Sequence, residues 1–194
     1  MGRKEHKFKQ VDFNNPSFLF RLDDKLKYLF GRWYFKSFIN SFALKGNEHV
    51  LDFGSGGGIE ARFVLKHLGE KGHITCVDRS SFWLKKARKR LKKFPNVTFV
   101  LGDICKLDIP DNAFEVVLAR YVIHDIEPEE RQRIMNALAN KLKPGGALYI
   151  WEPTKISHGM PVEEIRKLPL SSGLQELSHE KTKSSYKGKF LKSD

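Results

Sequence analysis

The sequence contains few cysteines and no long run of apolar residues. It has two cysteines among 194 residues, Cys76 and Cys105, and neither belongs to a Cys-x-x-Cys pair. Two cysteines are too few for a disulfide framework, so we expect a protein of the reducing cytoplasm with no metal site. No stretch approaches the ~18 unbroken apolar residues that a membrane-spanning helix needs.

The N-terminus lacks two targeting signals. The stretch "MGRKEHKFKQ" has no apolar run behind its basic residues, which argues against a secretory signal. His6 stands where N-myristoylation requires Ser or Thr. We therefore expect a cytoplasmic protein whose contact with a membrane, if it makes one, is peripheral.

Acidic residues are fewer than basic ones. The 23 Asp and Glu residues face 35 Lys and Arg residues, which gives a net charge of +12. An excess of this size predicts an anionic partner, such as a nucleic acid, an acidic membrane surface or a charged small molecule, unless it serves solubility alone. Seven basic residues lie between Lys85 and Lys93 without an acid among them. That segment predicts either a polyanion-binding face or an ordinary amphipathic helix with a solvated basic side.

Short apolar segments alternate with segments of helical periodicity from residue 49 onward. We predict strands at 49–53, 73–78, 97–103, 114–120 and 147–153. We predict helices at 59–68, 80–94, 128–142 (stopped by "KPGG") and 161–168, then a closing hairpin of 174–181 and 184–192. Such alternation is typical of an α/β fold with right-handed crossovers. We expect a Rossmann-like, seven-stranded, mainly parallel sheet with an antiparallel last strand and helices on both faces.

The segment before the first strand is unusually aromatic. Its aromatic residues are Phe18, Phe20, Tyr28, Phe30, Trp33, Tyr34, Phe35, Phe38 and Phe42. The spacing of Leu22, Leu26 and Leu29 predicts a helix, and Gly31 is expected to separate it from a second one. We assign 1–45 to an N-terminal helical arm of the same domain as 46–194. The arm is expected either to cover the functional cleft as a lid or to pack on the sheet.

The stretch "LDFGSGGGIEARFV", residues 51–64, joins an apolar strand to a helix through four glycines. Glycines let a backbone approach a ligand closely, and the first helical N–H groups point at it. Residues 56–61 fit the dinucleotide pattern G-x-G-x-x-A, and Asp78 ends the second strand. Asp52 and Asp103 argue against NAD, because their carboxylates would lie in the same crevice as its pyrophosphate. The glycines also begin one turn earlier than in a standard dinucleotide-binding loop.

The ordered motifs resemble those of class I S-adenosylmethionine-dependent methyltransferases. "VLDFGSGGG" is similar to the first motif of that family, "CVDRS" to the second and "VLGDI" to the third. "LKPGGALYI" is similar to the approach to strand five, and the resemblance extends over 49–192. Gly57 departs from it, because many members have Thr or Pro there. The resemblance makes 46–194 the cofactor-binding part and S-adenosyl-L-methionine the cofactor.

That cofactor is a sulfonium cation without phosphate, so carboxylates beside it are tolerated. Asp52 is expected to act on the ammonium end of the cofactor through water or by orienting the loop. Asp78 is expected to accept hydrogen bonds from the ribose hydroxyls, and Asp103 to accept one from the adenine amino group. The other predicted cofactor-binding residues are Gly54, Ser55, Gly56, Gly58, Arg79, Ile104 and Arg120. Each acid has a structural alternative: for Asp52 it is to cap the following turn, for Asp78 to cap the following helix, and for Asp103 to hold a loop turn.

Residues after strands four and five are the candidates for catalysis. Tyr121 and His124 are expected to border the methyl group, with His124 as a general base because its ordinary pKa suits proton transfer near neutrality. His124 could instead serve packing. Trp151, Glu152 and His158 are candidates for the acceptor pocket.

Three interpretations of the function stay open at this stage. The first is methyl transfer to a small, lipophilic acceptor, with the basic segment touching an anionic membrane. The second is methylation of RNA or protein, with the basic segment holding a polyanion. The third is a protein that holds the cofactor without turnover.

Overall fold

The computed structural model describes residues 13–31, 35, 38–155 and 159–193. The strands are β1 (His49–Phe53), β2 (His73–Asp78), β3 (Val97–Leu101), β4 (Phe114–Arg120), β5 (Leu142–Pro153), β6 (Leu174–Lys181) and β7 (Ser185–Lys192). The helices are α1 (Phe18–Phe30), α2 (Ile59–Val64), α3 (Ser81–Leu91), α4 (Pro128–Lys141) and α5 (Val162–Ser171). Trp33, Tyr34 and His158 lie outside the described residues.

The seven strands form one sheet in the order β3-β2-β1-β4-β5-β7-β6. β1 to β5 pair in parallel, whereas β7 pairs antiparallel with both β5 and β6. The predicted seven-stranded, mainly parallel sheet with an antiparallel close is confirmed. The chain winds outward in one direction from β1 and in the other from β4, so the boundary between these strands is the topological switch point, where open α/β sheets bind ligands.

Both faces of the sheet are buried, which explains why the central strands are continuous apolar runs. One face, with Leu51 and Val117, packs on α4 and α5. The other face, with Val50 and Leu118, packs on α2, α3 and the end of the N-terminal segment. From that segment come Phe35, Phe38, Ile39 and Phe42, all buried on the sheet. For these residues, packing on the sheet is the observed role.

Several predicted boundaries are wrong by a few residues. The helix predicted at 59–68 ends at Val64, because the next turns tighten to bonds from Lys66 to Phe63 and from His67 to Val64. β3 ends before Gly102, whose φ of 149° leaves the strand region. "KPGG" does not follow the helix as a loop; it lies inside β5, opposite an irregularity in β4.

No helix within the described residues is both long enough and apolar enough to cross a bilayer. α1 is amphipathic, but its apolar residues face outward: Phe18, Leu19, Leu22, Leu26, Leu29 and Phe30 are exposed. The predicted helix at the leucine repeat is therefore present, and its apolar face is not part of the core. Gly31 ends this helix, as expected.

The closing hairpin belongs to the core, and its contribution is measurable. Phe190 on β7 is fully buried in the cluster that contains Leu51 and Val117. We expect Phe190→Ala to lower the free energy of unfolding by about 3–5 kcal/mol, because it removes buried area and leaves a cavity. Denaturant unfolding measures this change. Leu177→Ala on β6 is the control, since Leu177 is 56% exposed; equal losses for both variants would contradict the assignment.

Candidate functional site

An open cleft of about 1120 Å³ lies at the carboxyl ends of the parallel strands, at the switch point. Ten of the sequence-predicted site residues line it: Gly54, Ser55, Gly56, Asp78, Arg79, Asp103, Ile104, Arg120, Tyr121 and His124. Asp52 and Gly58 lie behind its wall. The arm contributes Phe13, Asn14, Phe20, Asp23, Asp24 and Lys27 to the lining. With Pro153 of β5, the topology therefore gathers residues from the ends of five strands and from the arm.

The glycine loop after β1 needs glycine for two separate reasons. Gly54 has φ of 69°, and a Cβ there would approach Cγ2 of Val122 to 2.3 Å. Gly56 also has positive φ, but a Cβ there would meet nothing nearer than the Gly54 carbonyl oxygen at 4.0 Å. The first glycine thus permits close packing, whereas the second leaves open space beside the loop. An open, side-chain-free backbone suits a ligand that approaches closely.

Asp78 connects the glycine loop to the end of β2. Its Oδ2 accepts from the Gly56 N–H at 2.7 Å, and its Oδ1 accepts from the Ser80 N–H at 2.7 Å. Burial raises the pKa of Asp78, and these backbone hydrogen bonds oppose that rise. The N-cap of α3 is Ser80, whose Oγ accepts from the Trp83 N–H. Asp78 is therefore not the helix cap, and its remaining lone pairs suit hydroxyl donors.

A buried cluster of charged groups lies behind the loop. Asp52 is 3% exposed, and its Oδ2 has no hydrogen-bond partner among the described residues. Burial raises the pKa of Asp52 to about 7, although Arg120 lowers it and Asp78 raises it further. Arg120 forms an ion pair with Glu60, which is buried in the first turn of α2. The cluster offers both signs of charge, as the amino-acid end of a cofactor would require.

Glu60 has no place in the sequence-based site, although it lines the cleft. A signal for it existed: it stands between Ile59 and Ala61 on the buried side of a short helix, where a charge is rare unless it is paired. The helical pattern of the sequence does not distinguish Glu60 from the other polar residues of the helix. Its partner Arg120 lies 60 positions away in the sequence and becomes its neighbour only in the folded sheet.

Asp103 lies at the end of β3 and holds its loop. Its carboxylate accepts from the Cys105 N–H at 3.0 Å and from the Arg133 guanidinium at 3.2 Å. Burial alone would raise its pKa, but these two donors outweigh it and the pKa of Asp103 is lowered. Asp103 therefore serves a loop turn and also presents an ionised carboxylate to the cleft. Ile104, which follows it, is almost completely buried.

His124 is oriented by Glu152. Its Nδ1 lies 2.6 Å from Oε2 of Glu152, while Oε1 accepts from the Val122 and Ile123 N–H groups. Its Nε2 lies 3.5 Å from Oδ1 of Asp125. Burial lowers the pKa of His124, but the Glu152 carboxylate outweighs burial and the net pKa is raised. Glu152 is fully buried and does not line the cleft, so its predicted place in the acceptor pocket is wrong.

Two aromatic neighbours complete this corner. Tyr121 has φ of 50°, unusual for a residue other than glycine, and its ring packs edge-on against His124. Trp151 is 2% exposed and packs on Phe38 beneath the cleft, so it too is not part of the lining. The part of the chain that the structure describes holds no group of three or more His, Cys, Asp or Glu side chains arranged for a metal ion.

An ion pair joins the arm to the glycine loop. The Arg90 guanidinium bonds both carboxylate oxygens of Asp24, at 2.9 and 2.5 Å, and also donates to the Gly57 carbonyl oxygen at 2.9 Å. Lys86 lies 2.5 Å from the same carboxylate. A Cβ at Gly57 would stand 2.4 Å from the guanidinium and 2.7 Å from Asp24. Glycine at this position therefore makes room for the ion pair.

We expect Gly57→Ala to displace Arg90 from Asp24 and to loosen α1. Hydrogen–deuterium exchange should become faster in α1 and stay unchanged in β1 and β4. Arg90→Met should reproduce this pattern, because it removes the same contact. Gly69→Ala is the control, since its Cβ would meet nothing closer than 3.4 Å. Unchanged exchange in α1 for both variants would show that the ion pair does not hold the arm.

Comparisons with known proteins agree with this fold. A solved S-adenosylmethionine-dependent methyltransferase from Aquifex aeolicus has the same fold, with a TM-score of 0.74 and 23% identity, over 91% of this chain and 98% of that one. The arsenite methyltransferase of Halobacterium salinarum is 34% identical over 56% of this chain and 28% of its own length. The ubiquinone/menaquinone biosynthesis C-methyltransferase of Shewanella sediminis is 28% identical over 71% of this chain and 55% of its own length.

The chain thus spans between about a quarter and a little over half of the length of these curated relatives. The family model described as a methyltransferase domain matches residues 50–146, which is half of the chain. That match covers the glycine loop, Asp78, Asp103 and the strand-four end, the same elements that build the cleft. The chain belongs to the class I S-adenosylmethionine-dependent methyltransferase family.

Proposed function

We propose that this protein binds S-adenosylmethionine in the cleft and transfers its methyl group to a small, apolar acceptor. The observation that carries the proposal is the charge of the cleft. Seven of its lining residues are Asp or Glu and four are Lys or Arg, although the whole chain has 23 acids and 35 basic residues. An acid-rich cleft favours a sulfonium cation and disfavours the phosphates of NAD or RNA.

The chain's own residues fit the parts of this cofactor. When bound, the cofactor supplies an activated methyl group on a cationic sulfur. Asp78 is held against the loop by the Gly56 N–H and is suited to accept from ribose hydroxyls. The ionised Asp103 suits the adenine amino group. Arg120 with Glu60, and Asp52 behind them, offer charges complementary to the carboxylate and ammonium of the amino-acid end.

The acceptor side of the cleft combines a base with apolar walls. Phe20, Tyr121, Val122 and Ile126 line the cleft together with His124. His124 is oriented by Glu152 through Nδ1, so its role would be to take a proton from the acceptor at Nε2. Enclosure by the arm would exclude water from the transfer. These features support an acceptor with an apolar body and one proton to lose.

The two named relatives point to different acceptors. Trivalent arsenic is bound by soft thiolates, but the chain has two cysteines and Cys76 is fully buried, with its pKa raised well above the ordinary value. A quinone-like acceptor is lipophilic, which agrees with the apolar acceptor side. We therefore favour a lipophilic organic acceptor for this chain, and RNA, protein or binding without turnover remain the outcomes that the next experiment separates.

The test is transfer of labelled methyl groups. The protein is incubated with methyl-labelled cofactor and a cell extract separated into lipid, small-molecule, RNA and protein fractions. The proposal requires label in the lipid or small-molecule fraction, together with formation of the demethylated cofactor. Label in RNA or protein would contradict the proposed acceptor class. A protein that binds the cofactor but yields no demethylated product in any fraction would be a binding protein.

Cofactor affinity should depend on the ionisation of Asp52. Because burial raises its pKa to about 7, the carboxylate is largely protonated below that pH and ionised above it. A bound cation favours the ionised form, so affinity should rise from pH 6 to pH 8 and binding should release protons. Calorimetry in buffers of different ionisation enthalpy measures that release.

The cofactor's own amino group titrates at about 7.7–8.0, so the informative quantity is the difference between variants. Asp52→Asn should bind with a flatter pH dependence and release fewer protons. Asp108→Asn, at an exposed position, is the control and should behave like the unchanged protein. Identical proton release by the Asp52→Asn variant and the unchanged protein would remove Asp52 from the account.

Glu152 should set the pKa of His124. Glu152→Gln keeps an oxygen for the backbone N–H groups but removes the charge that raises the pKa of His124, so that pKa should fall. NMR titration of the ring nitrogens measures the shift directly. The neutral form of His124 is then populated at lower pH. The acidic limb of the pH–rate profile for methyl transfer should therefore also move to lower pH. An unchanged pKa in this variant would show that Glu152 does not control the base.

A further inference from the structure

The outward face of α1 is apolar along its whole length. Phe18, Leu22, Leu26 and Leu29 recur at intervals of three or four residues, so they share one side of the helix. With Leu19 and Phe30 they form what we call the outer apolar face, defined by these six residues. Their exposed fractions lie between 39% and 75%. A surface helix normally turns such a face toward the core, and this helix turns it toward solvent.

Polar contacts on the opposite side fix this orientation. Asp24 is buried and bonded to Arg90 and Lys86 of α3. Tyr28 packs against the Arg90 guanidinium at 4.3 Å and the Arg62 guanidinium at 4.5 Å. Rotation of the helix to bury its leucines would separate Asp24 from Arg90 and Lys86, and Tyr28 from Arg90 and Arg62. The outer apolar face is therefore held outward by charge pairing.

Basic side chains border one side of the outer apolar face, and Asp23, paired with Lys27, lies on the other side. Arg21 and Lys25 flank it on α1, and Arg21 also packs on Phe82 of the neighbouring α3. Helix α3 and its continuation carry five exposed basic residues: Lys85, Arg88, Lys89, Lys92 and Lys93. An apolar strip beside a cationic surface is the pattern of a helix that lies in the interface of an anionic bilayer.

We propose that α1 is a docking surface for an anionic lipid bilayer, with the outer apolar face inserted among acyl chains and the basic residues of α1 and α3 against the headgroups. RNA is the weaker occupant, because leucines and phenylalanines along the face offer nothing to phosphates. A second copy is also weaker, because two chains of net charge +12 would meet through faces bordered by like charges.

Docking would place the bilayer next to the cleft. Phe20, Asp23, Asp24 and Lys27 of α1 line the cleft, while the outer apolar face of the same helix points away from it. A lipophilic molecule could then pass from the bilayer to the cleft around one helix. This consequence depends on the proposed function, but vesicle binding does not, so the two can fail separately.

The test is co-sedimentation of the whole chain with lipid vesicles. Vesicles of phosphatidylcholine alone are compared with vesicles that contain about 30% phosphatidylserine, at low salt and at about 0.5 M NaCl. The altered protein carries Leu22→Gln, Leu26→Gln and Leu29→Gln together, which replaces exposed side chains only. Leu177→Gln on β6 is the matched control, also at an exposed leucine. Circular dichroism and cofactor binding confirm that each variant is folded.

We expect the unchanged protein and the Leu177→Gln variant to bind the anionic vesicles, and added salt to weaken that binding. The affinity of the triple variant for these vesicles should fall by about tenfold or more, because the variant loses the inserted apolar area. Equal binding by the triple variant and the unchanged protein would overturn the proposal, as would no binding to either vesicle. A dimer in solution that the triple variant converts to a monomer would assign the face to a second copy instead.

Discussion

The site depends on the carboxylate of Asp78. Its two oxygens hold the N–H of Gly56 in the glycine loop and the N–H of Ser80 at the start of α3. One side chain thus fixes the loop after β1 against the end of β2 and the first turn of the next helix. The parallel register brings these points together, because β1 and β2 pair directly from His49 with His73 onward. The remaining features of the cleft are arranged around this junction.

Charge is distributed unevenly around the junction. The cleft concentrates acids in a chain with a strong basic excess, and much of that excess lies on α3 and beyond. Arg90 and Lys86 from this basic segment point inward to Asp24, so part of it serves to hold the arm. For residues 85–93, the sequence suggested either a polyanion-binding face or a solvated basic side. Neither alternative included this contact with the arm. The same ion pair explains why position 57 is occupied by glycine, since a Cβ there would collide with Arg90 and Asp24.

Sequence reasoning identified the strands of the sheet more reliably than the contacts of the site. The bounds of β1, β2 and β4 agree with the predictions, because buried parallel strands are apolar runs that end at glycines or charged residues. The start of β5 was missed because "KPGG" normally ends a helix or strand. Here it belongs to β5 and lies opposite an irregularity in β4. The helical period of α1 was recognised, but its orientation depends on Asp24 and Arg90, which lie 66 positions apart.

The same limit applies to the candidate catalytic corner. His124 was identified from its residue type and position, but the orienting role of Glu152 follows only from the pairing of β4 with β5 and a hydrogen bond across 28 positions. Asp52 was expected to act on the ligand through water or by orienting the loop, and it lies behind the loop, because alternation along β1 turns its side chain away from the cleft. Local patterns select candidate residues, whereas pairing across the sheet decides what each one contacts.

The central claim is that the cleft selects a sulfonium cofactor over a pyrophosphate one. Calorimetric titration of the whole chain with S-adenosylmethionine, its demethylated product and NAD tests it most directly. The account predicts one binding site for S-adenosylmethionine and for its demethylated product, and no heat of binding for NAD. Binding of NAD with S-adenosylmethionine failing to bind would contradict it.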